Sequence, residues 1–226
     1  MLVFVAAERR ELEGLLVHLD EIRKPVWRVD FARRGRLNGR PVILVANGPG
    51  PKLAGEAADT VKENESMDGL ISTGFCGGLA PTLAACDIFV ATEVAGVAAA
   101  LTPSSSRPFK TGKLLSIDRV VSTSAEKSAL ASKAGAVEME AAAVATRAIR
   151  WHIPFYAVRV VTDTFEESFP LDFNQMRGAD GRFSRAKIVG AALRKPEKVI
   201  PELMKLNQRT KRAAQALGDF LADARF

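Results

Sequence analysis

Apolar residues in this chain come in short continuous runs, separated by stretches where they recur every third or fourth position. The run LVFVA (2–6) reads as a strand. The segment 8–19 that follows places Leu12, Leu15, Leu16 and Leu19 at helical spacing. The pattern repeats with RPVILVANG (40–48) as a strand and PKLAGEAADTVKE (51–63) as a helix. DGLISTG (68–74) and DIFVATEV (87–94) predict strands on either side of a glycine-rich loop, and KLLSIDRVVS (113–122) predicts another. A helix is expected from Glu138 to Trp151, then the strand FYAVRVVTD (155–163). From Lys187 to Ala224 the spacing is helical, with breaks expected at Pro196 and Pro201.

Apolar strands alternating with helices predict an α/β fold: a single domain with a largely parallel, mixed central sheet flanked by helices. The 226 residues fit one large domain, and 47% hydrophobic with 26% charged residues is ordinary for a globular chain. TPSSSRPFKTG (102–112) reads as a surface loop. No apolar run reaches the roughly 18–20 residues of a membrane span, so no membrane partner is expected. MLVFVAAERRE has too short an apolar run for a signal peptide. The two cysteines, Cys76 and Cys86, are expected as free thiols in a reducing cytoplasm. His18 and His152 stand far apart without clustered cysteines, so neither a metal nor another cofactor is expected. The net charge of +6 is concentrated in KLNQRTKRAAQ (205–215). No aromatic residues interleave with these cations, which favours a solvated helix face over a nucleic-acid contact.

In open α/β sheets ligands bind at the carboxyl ends of the strands. Glu8 and Glu11 follow the first strand, GFCGG (74–78) follows the 69–73 strand, and Thr162 and Asp163 close the strand at 155–163. Glu138 and Glu140 open the next helix in AVEMEAAAVA, where residues two apart point to nearly opposite sides. One of the two carboxylates must then look inward and needs a partner. Arg159 alternates with Asp163 on one face of an apolar strand, where a guanidinium is costly unless paired. NGPGPKLA (47–54) is either a phosphate-binding turn or a tight strand–helix turn, since both need glycines.

FVAAERRE, STGFCGGLAPTLAACDIFVATEV, GAVEMEAAAVA and VRVVTDTFEESFPLDF together resemble the purine nucleoside phosphorylase/nucleosidase family. The resemblance runs from Met1 to about Phe173 and is nearest to methylthioadenosine/S-adenosylhomocysteine nucleosidases; the remainder also looks like hopanoid-associated nucleoside phosphorylases. It implies cleavage of a purine N-glycosidic bond. Asp163 matches the family's acid for the departing base, and Glu140 the carboxylate on the ribose hydroxyls, with Met139 as an apolar wall. Glu11 matches the carboxylate that handles the attacking water, with Glu8 its rival one turn away, and Arg159 the arginine beside that water. Phe75, Cys76, Gly77 and Thr162 are implied around the substrate, and Phe173 matches an aromatic that closes over it.

Three departures shape the expected activity. Phe75 stands where nucleosidases carry a serine beside the water, and no arginine precedes the glycine loop, where Ser72 and Thr73 stand. The missing phosphate anchor favours hydrolysis over phosphorolysis, although Arg9, Arg10 or Arg159 could recruit phosphate. The stretch from Val94 to Lys113 is shorter than in the nucleosidases, and STSAEKSAL (122–130) replaces a segment that contacts adenine. A nucleoside-binding protein without turnover is the alternative from another class. The expected partners are a purine nucleoside, phosphate in the phosphorolytic case, and further copies of the chain, since this family's crevice borrows residues from a neighbouring subunit.

Overall fold

The computed structural model describes residues 1–194 and 196–226. The chain opens with β1 (Leu2–Ala6), α1 (Arg9–Leu16), β2 (Leu19–Arg23), β3 (Phe31–Leu37), β4 (Arg40–Ala46) and α2 (Pro51–Asn64). Next come β5 (Gly69–Gly78), β6 (Ile88–Val94), β7 (Ala98–Ala99), β8 (Lys110–Ser116), α3 (Ser124–Leu130), β9 (Ala136–Glu138), α4 (Ala141–Trp151) and β10 (Phe155–Asp163). A 3-10 turn over Phe173–Met176 leads to α5 (Arg185–Arg194) and α6 (Pro196–Asp223).

All ten strands join one mixed sheet. β4, β1, β5 and β10 run parallel, and both faces of these strands are covered, which is why their sequences are apolar without alternation. On β1, Val3 and Val5 face one layer and Phe4 and Ala6 the other. The first layer is closed by Ala54, Ala57, Ala58 and Val61 of α2 and by Ala141, Val144, Ala145 and Ala148 of α4. The second is closed by Leu12 and Leu15 of α1 and by Ala213, Leu217, Phe220 and Leu221 of α6. β10 also pairs with β6, which continues through β8 and β9 back to β5, closing a small ring of strands around one end of the sheet. The carboxyl ends of β1, β5 and β10 therefore open on the same side.

Several elements differ from the sequence expectation. The glycine-rich "loop" is strand: β5 runs through Gly78, with Gly77 and Gly78 opposite Val137 and Ala136, and Gly77 opposite Asp163 on its other side. Glycine weakens an isolated strand, but here it is held from both sides. The expected helix start is also strand, because Glu138 ends β9 and Glu140 is the N-cap of α4. Three residues are too few to carry an alternation signal. The 113–122 strand is shifted to 110–116 and stops where its partner β9 ends. Leu19 belongs to β2 rather than α1, pairing with Leu37. β2 and β3 form the exposed edge, where Asp20, Glu21, Arg33, Arg34 and Arg36 break up any apolar run.

Of the two prolines expected to break the C-terminal helices, Pro196 opens α6 but Pro201 lies inside it. The cost of one missing ladder bond falls at the exposed end, while the far half of α6 is anchored on α1. That anchoring is a backbone-to-backbone crossing. A Cβ on Gly218 would meet the Gly14 carbonyl carbon at 1.9 Å, and one on Gly14 would meet Ala214 O at 2.0 Å. Of the expected 102–112 loop, residues 110–112 belong to β8, and the rest is tied to the C-terminal helix: Ser105 Oγ and Ser106 N donate to Asp223 Oδ2 at 2.6 and 2.8 Å. Among the described residues, no helix is long and apolar enough to cross a membrane.

Candidate active site

Glu11 is set by the start of α1. Its Oε2 accepts from Glu8 N (2.8 Å), which fixes the first turn, and its Oε1 accepts from Phe75 N (2.9 Å) on β5. The carboxylate sits directly over Gly74, whose φ is +139° and where a Cβ would meet Glu11 Oε1 at 2.6 Å. Glycine is required there for both reasons.

Glu138 is buried and Glu140 half-buried, in different surroundings. Glu138 faces Arg159, whose Nη2 donates to Glu138 Oε2 (2.6 Å) and Ser72 Oγ (2.7 Å). The second task of Glu138 is to cap α4, accepting from Glu140 N (2.9 Å) and Ala141 N (2.9 Å). Glu140 accepts from Gly50 N (2.7 Å) at the start of α2. The NGPG turn thus presents its helix N-terminus to a carboxylate, satisfying one of the donors that a helix start leaves open. Arg159 was expected on the strand face toward the ligand. It lies instead behind the cavity wall at 1% exposure, and the inward partner for its charge is Glu138.

Asp163 ends β10. Thr162 Oγ1 lies 2.9 Å from its Oδ1 and 3.3 Å from Cys76 O, so this hydroxyl has two acceptors for one proton. Gly77 leaves room for the carboxylate, since a Cβ there would stand 2.9 Å from Asp163 Oδ2. Lys127 Nζ, also 1% exposed, approaches that same Oδ2 at 2.6 Å. Nothing in the local pattern marks this lysine, which sits in a polar stretch on a short helix. Burial pushes the Asp163 carboxyl above the ordinary range, with Lys127 and Thr162 opposing the rise. Burial likewise raises Glu11 against the pull of the Phe75 and Glu8 N–H groups. Glu140 rises to about 8, first from burial and then from the nearby charges of Glu138 and Glu11. Burial pulls the Arg159 guanidinium down, but Glu138 above all, with Glu140 and Glu11, outweighs it and holds its affinity for the proton up. Three carboxylates around one guanidinium leave a surplus of negative charge that a proton on Glu140 relieves.

These groups line a cavity of ≈ 520 Å³, within the usual range for small-molecule sites. Asp163, Thr162, Glu11, Glu140, Met139, Phe75, Cys76, Gly77 and Phe173 all reach it, as do Glu8 and Glu138. The rest of the wall is mostly apolar, from Val120, Val121, Phe169, Phe183, Ile188, Leu203 and Leu206, none of which the sequence marks as a site residue; Arg10, Arg119, Asn207 and Thr210 are its polar members. Phe169, Phe173 and Phe183 form a chain of edge-on rings, with centroids 5.4 and 6.3 Å apart. Asn174 clamps the Val120 backbone, donating to its O (2.9 Å) and accepting from its N (2.8 Å). The Cys76 thiol is buried and pushed up by that burial, which makes it a wall and not a nucleophile. Among the described residues no group of three or more His, Cys, Asp or Glu side chains is placed to hold a metal ion.

The fold has structural relatives among solved proteins. The native futalosine hydrolase of Helicobacter pylori aligns over 97% of this chain and 94% of its own, at a TM-score of 0.70 and 18% identity. The 5′-methylthioadenosine/S-adenosylhomocysteine nucleosidase of Neisseria meningitidis, in complex with methylthio-immucillin-A, aligns over 98% and 96% at 0.69 and 21%. Its Helicobacter pylori counterpart aligns over 97% and 95% at 0.70 and 18%. At these identities the likeness is one of fold. Kinship rests on the family model described as the phosphorylase superfamily, which matches residues 2–106 and 95–193, the part that builds the sheet and carries all five acidic residues of the cavity, Glu8, Glu11, Glu138, Glu140 and Asp163. The chain belongs to the phosphorylase superfamily, a family of enzymes.

Proposed function

We propose that this enzyme uses water to cleave the N-glycosidic bond of a purine nucleoside. The observation that carries the reading is the opening of Asp163, Glu140 and Glu11 onto one cavity of ≈ 520 Å³ beside an apolar wall. As the bond from the ribose C1′ to the base breaks, its electron pair goes to the base and Asp163 gives its proton to a base nitrogen. Water bonds to C1′ and loses its proton to Glu11. The raised affinities of both carboxyls for protons bring each nearer its task at neutral pH. Glu140 holds the ribose hydroxyls and Met139 packs beside the sugar. Arg159 acts through Glu138, fixing the β9–α4 turn that carries Met139 and Glu140. The relatives named for methylthioadenosine and futalosine make a nucleoside with a substituted 5′ position the first candidate substrate.

Phosphorolysis is the second reading, favoured by Arg10, which lines the same cavity and is paired with Glu8. Incubation with 5′-methylthioadenosine, adenosine and inosine, with and without phosphate, separates the two. Base release without phosphate is the expected result. Strict phosphate dependence with a sugar phosphate as product would establish phosphorolysis, and no release from any purine nucleoside would remove both readings.

A further inference from the structure

Lys127 is a buried ammonium with no exposure to speak of and a complete set of partners: Asp163 Oδ2 at 2.6 Å, Thr164 O at 2.6 Å and Glu167 O at 3.0 Å. Its helix is short but firmly begun, with Thr123 Oγ1 accepting from Glu126 N (3.2 Å) and Glu126 Oε2 accepting from Thr123 N (3.1 Å). An ammonium with all three protons committed is held in place and is poorly suited to shuttle a proton. The groups facing Asp163 are few: Lys127 from α3, Thr162 beside it on β10, the Cys76 thiol on β5, and Glu167 beyond β10, whose own carboxylate is paired with Arg209 of α6. Lys127 is the one fixed positive charge on Asp163 among them.

We propose that Lys127 is a positioning residue for the proton transfer: it holds Asp163 in place and stabilises the carboxylate that remains once the proton has gone to the base. This rests on the reading of Asp163 as the acid. Before transfer, the carboxyl carries its proton and Thr162 can donate to Cys76 O. After transfer, the new negative charge meets Lys127 on Oδ2, and Thr162 turns its proton to Oδ1. Lys127 remains an ammonium throughout, so no other proton moves. In a dry site, an anion created without such a partner is costly, and a preorganised charge lowers that cost at the moment it appears.

The test is Lys127→Met, which keeps the length of the side chain and removes the charge. Two readouts are needed. The first is the titration of the Asp163 carboxyl by carbon-13 NMR, assigned from its loss in Asp163→Asn. The second is the pH profile of kcat for base release. The Asp163 midpoint should rise by roughly 1–3 pH units when a contacting opposite charge is lost. The alkaline fall in kcat should shift the same way. The plateau kcat should drop by about 10²-fold, with KM changing far less. If Lys127→Met does not fold, Gly77→Ala puts a methyl 2.9 Å from the same Oδ2 and should move both midpoints in the same direction. An active enzyme whose Asp163 midpoint and pH limb stay in place in the variant would overturn the proposal, even if the rate fell. A raised Asp163 midpoint in Lys127→Met alongside a wild type that releases no base from any nucleoside would overturn the proposed reaction and, with it, the role of Lys127 in proton transfer, whereas base release by the wild type with an unmoved midpoint overturns the role of Lys127 alone.

Discussion

Arg159 and Glu138 are buried together at 1% side-chain exposure each, and neither touches bulk water. Removing one member of such a pair leaves the other charged and unsolvated. Arg159→Met is therefore expected to cost about 3–5 kcal/mol in denaturant unfolding, a loss that a surface ion pair such as Lys205–Glu202 would not approach. The sequence pointed to the need for a partner but not to its identity. A strand guanidinium and a nearby carboxylate pair were both legible, whereas the choice between Glu138 and Glu140 depended on a strand-to-helix turn lying between them. Lys127 was not legible at all, because a lysine in a polar helix looks like any solvated one. For Asp163 the acid role carries its own expectation. Asp163→Asn should lower kcat by about 10²–10⁴-fold in protein that is still folded at the assay temperature, even though leaving Lys127 unpaired lowers its stability, checked by base release alongside thermal unfolding. A large fall in stability with little change in rate would make Asp163 structural.

At the scale of elements, β1, β4, β5 and β10 announce themselves because both faces are buried, so each carries apolar residues without alternation, interrupted on β5 and β10 by the buried polar groups Ser72, Thr73, Arg159, Thr162 and Asp163. β9 has only three residues and takes its conformation from β8 and β5, so nothing local marks it. β2 is a charged edge strand and β3 its charged neighbour, which blunts unwanted pairing at that edge and also hides both from a periodicity reading. The α1–α6 crossing was equally invisible, since glycines within helices usually count as weaknesses. Here Gly14 and Gly218 let the two backbones touch. Gly218→Ala should destabilise the protein by about 1–3 kcal/mol or more, through overpacking that no rotamer change can relieve. Ala at Gly190, where an added Cβ meets nothing within 4 Å, is the control, expected to be neutral or mildly stabilising. Equal effects at the two sites would contradict the packing account.

Across the whole molecule, the site is assembled from β1–α1, β5, β9–α4, β10 and the C-terminal helices, so its acids meet only when the complete sheet has formed. Their repulsion is then a property of the fold. The Glu140 carboxyl binds its proton more tightly in the folded protein than at its ordinary value of 4.5, up to about 8. A raised acid contributes its stability below the unfolded value and loses it as pH climbs through the folded one. The unliganded protein should therefore lose thermal stability between about pH 4.5 and pH 8. Glu140→Gln, which cannot ionise, should match the wild type at the acid end and exceed it at the alkaline end. Identical slopes in the two proteins would place the charge strain elsewhere.

The central claim is that acids from distant parts of the chain grip one nucleoside at once. The most direct measurement is a crystal structure of Asp163→Asn, the variant expected to bind without turnover, soaked with 5′-methylthioadenosine. The expected result is a single nucleoside in the ≈ 520 Å³ cavity, with the base within hydrogen-bond reach of position 163, the ribose hydroxyls on Glu140, and a water between Glu11 and C1′. A nucleoside seated so that its base and sugar cannot reach both position 163 and Glu140 would contradict the account.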